Sequence, residues 1–155
     1  MTITPTGVKT GHVLICDFER GFVRPEMVKT RPVVVISKTK THGRGLCTVV
    51  PLSTTPPSPV EPWHFALQHY PLPCEDQVWA KCDMIYTVSF ARLRWPHVKA
   101  MGARQYSKPR LGDSDMDGVF AGVRAYLPAL SSTVTETVTL SVSTTVTSES
   151  PPWVE

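Results

Sequence analysis

The stretch Lys29-Thr30-Arg31-Pro32-Val33-Val34-Val35-Ile36-Ser37 sets the fold class of this chain. Its run of β-branched apolar residues predicts a strand over Pro32–Ser37. Arg31 stands just before Pro32, at the junction of that strand with a polar loop. Upstream, Glu19–Thr30 carries Gly and Pro and reads as a loop, and His12–Phe18 reads as another strand. Downstream, Lys38–Gly45 reads as a turn, Leu46–Leu52 as a strand and Thr54–Pro62 as a Pro-rich loop. His64–Gln68, Val78–Ala80 and Met84–Val88 add three short strands. Several short strands without long helical crossovers predict a small β-barrel rather than a parallel sheet.

One helix follows the strands. Met116, Val119, Phe120, Val123 and Leu127 repeat at the spacing of one helical face. Asp113 or Ser114 is placed to cap it, Asp115 and Asp117 fall in its electropositive first turn, and Pro128 stops it. Gly118 and Gly122 run against helix propensity. The fold class is therefore mainly β with peripheral helices, the helix packing its apolar stripe on the barrel.

With 155 residues there is room for one domain. Residues 1–10 read as a lead-in, 11–130 as the domain, and 131–155 as a low-complexity tail of Ser, Thr and Val with apolar residues on even positions. The tail has no Lys or Arg and three acids, which leaves sixteen bases against ten acids in residues 1–130. That surplus suits a polyanionic partner as well as plain solubility. No apolar run approaches the roughly 20 residues of a membrane span, and the first residues lack the apolar core of a secretory signal, so the expected compartment is the cytoplasm. The four cysteines form no C-x-x-C pair and no finger-like set with histidine. Reduced thiols, no metal site and no cofactor are expected.

Certain side chains stand where phosphodiester chemistry needs them. Cleaving RNA through its own 2′-hydroxyl requires a proton acceptor, a fixed cation for the charge gained by the phosphoryl oxygens, and a donor near the leaving oxygen. Arg31 can supply the cation, because its planar fork of donors matches phosphate oxygens. Ser53 and Thr54 follow the Leu46–Leu52 strand directly, and Glu26 lies five residues before Arg31. Each of these alone also reads as an ordinary solvated or turn residue.

Their order carries a resemblance. Gly11-His12-Val13-Leu14-Ile15-Cys16-Asp17-Phe18, then Glu26, then Lys29–Ser37, then Val49-Val50-Pro51-Leu52-Ser53-Thr54 resembles the first strand, acidic loop, Arg-Pro strand and Pro-x-Thr/Ser motif of PemK/MazF toxins. Glu75-Asp76-Gln77-Val78 and Phe90-Ala91-Arg92-Leu93 are similar to that family's later signatures. The resemblance implies an SH3-like β-barrel working as a homodimer. It implies an endoribonuclease that cleaves single-stranded RNA without a metal, is neutralised by an antitoxin and binds operator DNA as a toxin–antitoxin complex. It assigns the catalytic cation to Arg31 and the hydroxyl to Ser53, with Thr54 competing. Glu26 becomes the base candidate, since guanidinium stays protonated, and Lys29, Asp76, Gln77 and Arg92 become substrate contacts. For Asp76 and Gln77 a structural hydrogen-bonded turn is an equal reading.

The segment Arg94–Arg110 departs from the pattern. It holds Arg94, Lys99, Arg104, Lys108 and Arg110 with Trp95 and Tyr106 interleaved, and reads either as an RNA-contacting loop or as a solvated excursion. A second function also stays open, a non-catalytic barrel that holds an antitoxin, DNA or another protein.

Overall fold

The computed structural model describes residues 2–128, so the tail at 131–155 lies outside the described residues. The strands are β1 (Val13–Cys16), β2 (Arg31–Val35), β3 (Leu46–Ser53), β4 (His64–Ala66), β5 (Trp79–Lys81), β6 (Tyr86–Ser89), β7 (Leu93–Arg94), β8 (His97–Ala100) and β9 (Ala103–Tyr106). The helix α1 spans Asp113–Tyr126. The segment read as a simple turn, Lys38–Gly45, contains a 3-10 helix over Thr39–Arg44.

All pairings are antiparallel. The main sheet runs β4-β5-β3-β2-β1-β7, with β6 paired to the first half of β3 while β5 takes its end. The fold class is the expected one, but the ladder stays open instead of closing into a barrel. The chain crosses from β6 to β7 through a short 3-10 turn, Phe90–Arg92. β7 is only two residues long and pairs with β1 alone among the described strands.

The β-branched run of β2 is explained by two cores. Val33 and Val35 join Val8, Leu14, Cys16, Phe18, Cys47, Val49, Val88, Leu93 and Trp95 in one cluster. Val34 joins Val13, Val50, Leu52, Ala80 and Cys82 in the other, against Met116, Val119 and Val123 of α1. Successive side chains alternate between the two faces of a strand, and here both faces are covered. Val8 is fully buried, so the lead-in packs onto the domain it precedes.

The helix departs from its expected start. Gly112 is the N-cap, no side chain caps the helix, and Asp113 is already helical. Asp115, almost wholly buried, instead accepts hydrogen bonds from the main-chain N–H groups of Gln68 (2.7 Å) and His69 (2.9 Å). Its carboxylate ties α1 to the segment after β4. Leu127 is the C-cap and partly exposed, so the apolar face ends at Val123.

The basic segment after β7 folds into the hairpin β8–β9, a two-stranded sheet apart from the main one. Its two-residue turn, Met101-Gly102, takes positive φ at both positions (49° and 77°). That geometry matches the twist of a hairpin.

Candidate active site

Arg31 opens β2 and pairs with Cys16 of β1. On its other side the β2–β3 register runs Val35↔Val49, Val34↔Val50 and Val33↔Pro51. Continued by two residues, that register sets Arg31 opposite Ser53. Both side chains line one cavity of about 180 Å³, with Pro32, Leu52, Thr54, Tyr70, Pro73, Cys74 and Val78. Arg31 also lines a larger, open depression of about 530 Å³ with Arg24, Glu26, Met27 and Lys29. Arg31 therefore borders both hollows, one shared with Ser53 and Thr54 and the other with Glu26 and Lys29.

The Nε–H of Arg31 is buried and has no hydrogen-bond partner among the described residues. A buried donor left unmade is costly, of order 1–3 kcal/mol, and at the wall of a cavity it is open to an ordered water or a ligand acceptor. Trp79 Nε1 and Asp83 Oδ1 are the other buried polar atoms so left among the described residues. Ser53 is 5% exposed and its hydroxyl accepts from the Thr55 N–H at 3.2 Å, which leaves its own proton to donate. Thr54 is exposed.

The loop before β2 is held from several points. The Met27 N–H donates to the Tyr86 hydroxyl (3.0 Å), the Thr30 hydroxyl to Glu19 (3.0 Å), and the Val23 N–H to the Glu26 carboxylate (2.6 Å). Phe18, Phe22 and Tyr86 stack beneath it with ring centroids 5.1–5.4 Å apart. One Glu26 oxygen is thus spoken for by its own loop.

The later motifs border this site, and of their residues only Val78 lines a hollow at Arg31. The Gln77 side-chain amide donates to the carbonyls of Leu67 (2.8 Å) and Val78 (3.0 Å), joining the segments after β4 and before β5. Asp76 is exposed beside it and lines a neighbouring hollow of about 220 Å³, which shares Tyr70, Cys74 and Val78 with the Arg31–Ser53 cavity. Arg92 donates to the Asp17 carbonyl at 3.1 Å and lies over the Phe22 ring at 5.0 Å, so it braces the loop before β2. Neither Gln77 nor Arg92 lines either hollow at Arg31.

Tyr70, Pro73 and Cys74 were missed in the sequence. They come from the loop between β4 and β5, just ahead of its Glu75-Asp76-Gln77-Val78 motif, and only prolines mark that part of the loop. Cys16, Cys47 and Cys82 are free and buried, and burial pushes each thiol up to about 12. Cys74 is the exposed one. Among the described residues no helix is long and apolar enough to cross a membrane.

Fold and site together define a small antiparallel β protein with a cation and a hydroxyl facing each other across its central strands. The sequence model of the PemK-like, MazF-like toxins of type II toxin–antitoxin systems matches residues 9–125, and the chain belongs to that family. Solved structures share the fold. MazF from Deinococcus radiodurans superposes with a TM-score of 0.59 at 14% identity, covering 78% of this chain and 96% of that one. An endoribonuclease from a mycobacterial species, in complex with its cognate antitoxin, gives 0.54 at 18% identity over 78% of this chain and 95% of its own. The Mycobacterium tuberculosis toxin MazF-mt6 gives 0.51 at 14% identity, over 76% of this chain and 96% of that one. No curated protein sequence gave a significant match.

Proposed function

We propose that this toxin-family protein is an endoribonuclease that cleaves single-stranded RNA by internal transesterification, without a metal ion. The observation that carries this reading is Arg31, with a buried unpaired Nε–H, set opposite Ser53 in one cavity and beside Glu26 in the next. The ribose 2′-oxygen attacks the adjacent phosphorus while its proton passes to the free oxygen of Glu26. The P–O5′ bond breaks, the 5′-oxygen leaves as a hydroxyl with a proton taken from water, and Glu26 returns its own proton to solvent. Arg31 binds the phosphoryl oxygens and stabilises the charge they gain, which is the larger share of catalysis at such sites. The Ser53 hydroxyl donates to the same group, with Thr54 on the exposed rim. Lys29 and Asp76 are the exposed candidates for substrate contact, and Gln77 and Arg92 fix the loops beside them.

The same reading makes the protein a homodimer held inactive by an antitoxin, the two together contacting operator DNA. Endoribonuclease structures with bound antitoxin in this fold support the partner.

The test is incubation of the purified protein with mixed-sequence RNA in chelator. Fragments ending in 2′,3′-cyclic phosphate and 5′-hydroxyl are expected. RNA that is bound but stays intact would instead establish a binding module.

A further inference from the structure

The β8–β9 hairpin is unusual in what it leaves exposed. Its register pairs His97↔Tyr106, Val98↔Gln105 and Lys99↔Arg104. Alternate pairs share a face, so one face carries the His97–Tyr106 ring pair followed by the Lys99–Arg104 cation pair. The two rings stand 5.4 Å apart, and all four residues are exposed. Like charges directly opposite one another destabilise a ladder. Among the described residues no acid offsets this pair, the only ion pair there joining His64 and Asp83. Two of the neighbouring cations are otherwise engaged. Lys108 lies over the Trp95 ring at 5.6 Å, and Arg110 donates to the Thr10 carbonyl at 3.1 Å.

The hairpin also adjoins the strand-end site. A hollow of about 340 Å³ has Ile15, Pro73, Arg94, His97 and Val98 in its lining. Pro73 lines the Arg31–Ser53 cavity as well. Ile15 pairs with Pro32 on one side and Arg94 on the other, which carries the surface across β2, β1 and β7 to the hairpin base.

We propose that the His97–Lys99–Arg104–Tyr106 face of β8–β9 is a second contact for single-stranded RNA, holding nucleotides that flank the phosphate seated at Arg31. A basic surface with exposed rings is the chemistry that recognises an unpaired strand. The cations take the backbone, and the rings stack on bases whatever their sequence. A protein partner has less support on this face, because the exposed apolar side chains of the hairpin, Val98 and Met101, belong to its other face and its turn. The path of the strand rests on the cleavage reading, whereas binding to the hairpin does not.

The experiment uses the full chain and a fluorescein-labelled, mixed-sequence 2′-O-methyl RNA, which the 2′-hydroxyl route cannot cleave. Its binding is followed by anisotropy over a salt series. In Lys99→Gln/Arg104→Gln the slope of log K against log salt should fall by about 1.4, the value for two phosphate contacts on a single strand. Tyr106→Ala should weaken binding on the order of tenfold with little change of slope. Thermal unfolding of each variant verifies that the main sheet is intact, since all three positions are exposed and lie outside it. Unchanged slope and affinity would overturn the proposal, as would an effect on duplex DNA that single-stranded RNA does not show. Loss of binding in a protein that never cleaves RNA would support the hairpin while removing the nuclease reading.

Discussion

Replacing Gly122 by alanine sets two effects of opposite sign against each other. In a helix interior alanine is favoured over glycine by about 0.8–1.0 kcal/mol, so propensity alone predicts a stabler protein. The packing says otherwise. A Cβ at 122 would stand 2.7 Å from the Cys82 sulfur, 3.1 Å from its Cβ and 3.4 Å from the Trp63 carbonyl oxygen. Cys82 is fully buried, and its thiol points toward the carbonyls of Val119 (3.5 Å) and Ala80 (3.8 Å), so it has no empty space to enter. Overpacking of this kind costs about 1–3 kcal/mol. The net expectation is a loss of about 1 kcal/mol, read as a lower urea midpoint at unchanged m-value. In a Cys82→Ala background the sulfur is gone, and Gly122→Ala should become neutral or slightly stabilising. The two substitutions should then couple by about 1–3 kcal/mol in a double-mutant cycle. Stabilisation by Gly122→Ala in the wild-type background would refute this packing of α1 on the sheet.

Two further outcomes follow from buried groups. His12 is buried with the cations Arg110, Lys9 and Lys108 near it, and burial first, then these charges, hold its pKa below the ordinary 6.5. Below pH 6.5 the unfolded chain takes up the proton before the folded one, so stability is full above that pH and declines as pH falls toward the folded value. His12→Asn keeps an acceptor for the Lys9 N–H that now bonds Nδ1 at 3.0 Å, and should flatten the Tm profile across this window. A profile of unchanged steepness would count against it. Iodoacetamide on the folded protein should label Cys74 alone of the four cysteines, by mass spectrometry. Because Cys74 lines the cavity of Arg31 and Ser53, the adduct should also suppress RNA cleavage. Labelling of Cys82 would contradict its burial.

How much could be read from the chain depended on whether the signal was local. The run Val33–Ile36 marked β2 because two cores need apolar residues on both faces of that strand. Arg31 and Ser53 could be read together because each stands at the end of a strand and the β2–β3 register, continued, sets them opposite each other, whereas Glu26 lies inside the loop before β2. The hairpin was hidden because its turn, Met101-Gly102, shows only half of the usual Asn-Gly signal, and its strands are too polar to read as buried. Gly118 and Gly122 argued locally against a helix, yet Phe65 and Cys82 pack where their side chains would be. Asp115 looked like a helix-start acid, but its hydrogen bonds go to residues 68 and 69, a distance in sequence that no local rule reaches. Tyr70, Pro73 and Cys74 enter the cavity through that same tertiary arrangement.

The central claim is that Arg31 holds the phosphoryl group as it gains charge, and single-turnover cleavage of RNA in chelator by Arg31→Ala tests it most directly. A cation that acts more strongly in the transition state than in the bound substrate governs the rate of the chemical step. Its loss should slow cleavage on the order of 10²–10³, with the thermal transition retained. Arg31→Lys should recover little, because a point charge lacks the two-pronged geometry. Ser53→Ala should be slowed more than Thr54→Ala, since Ser53 faces Arg31 in the register. Cleavage by folded Arg31→Ala at the wild-type rate would contradict the account.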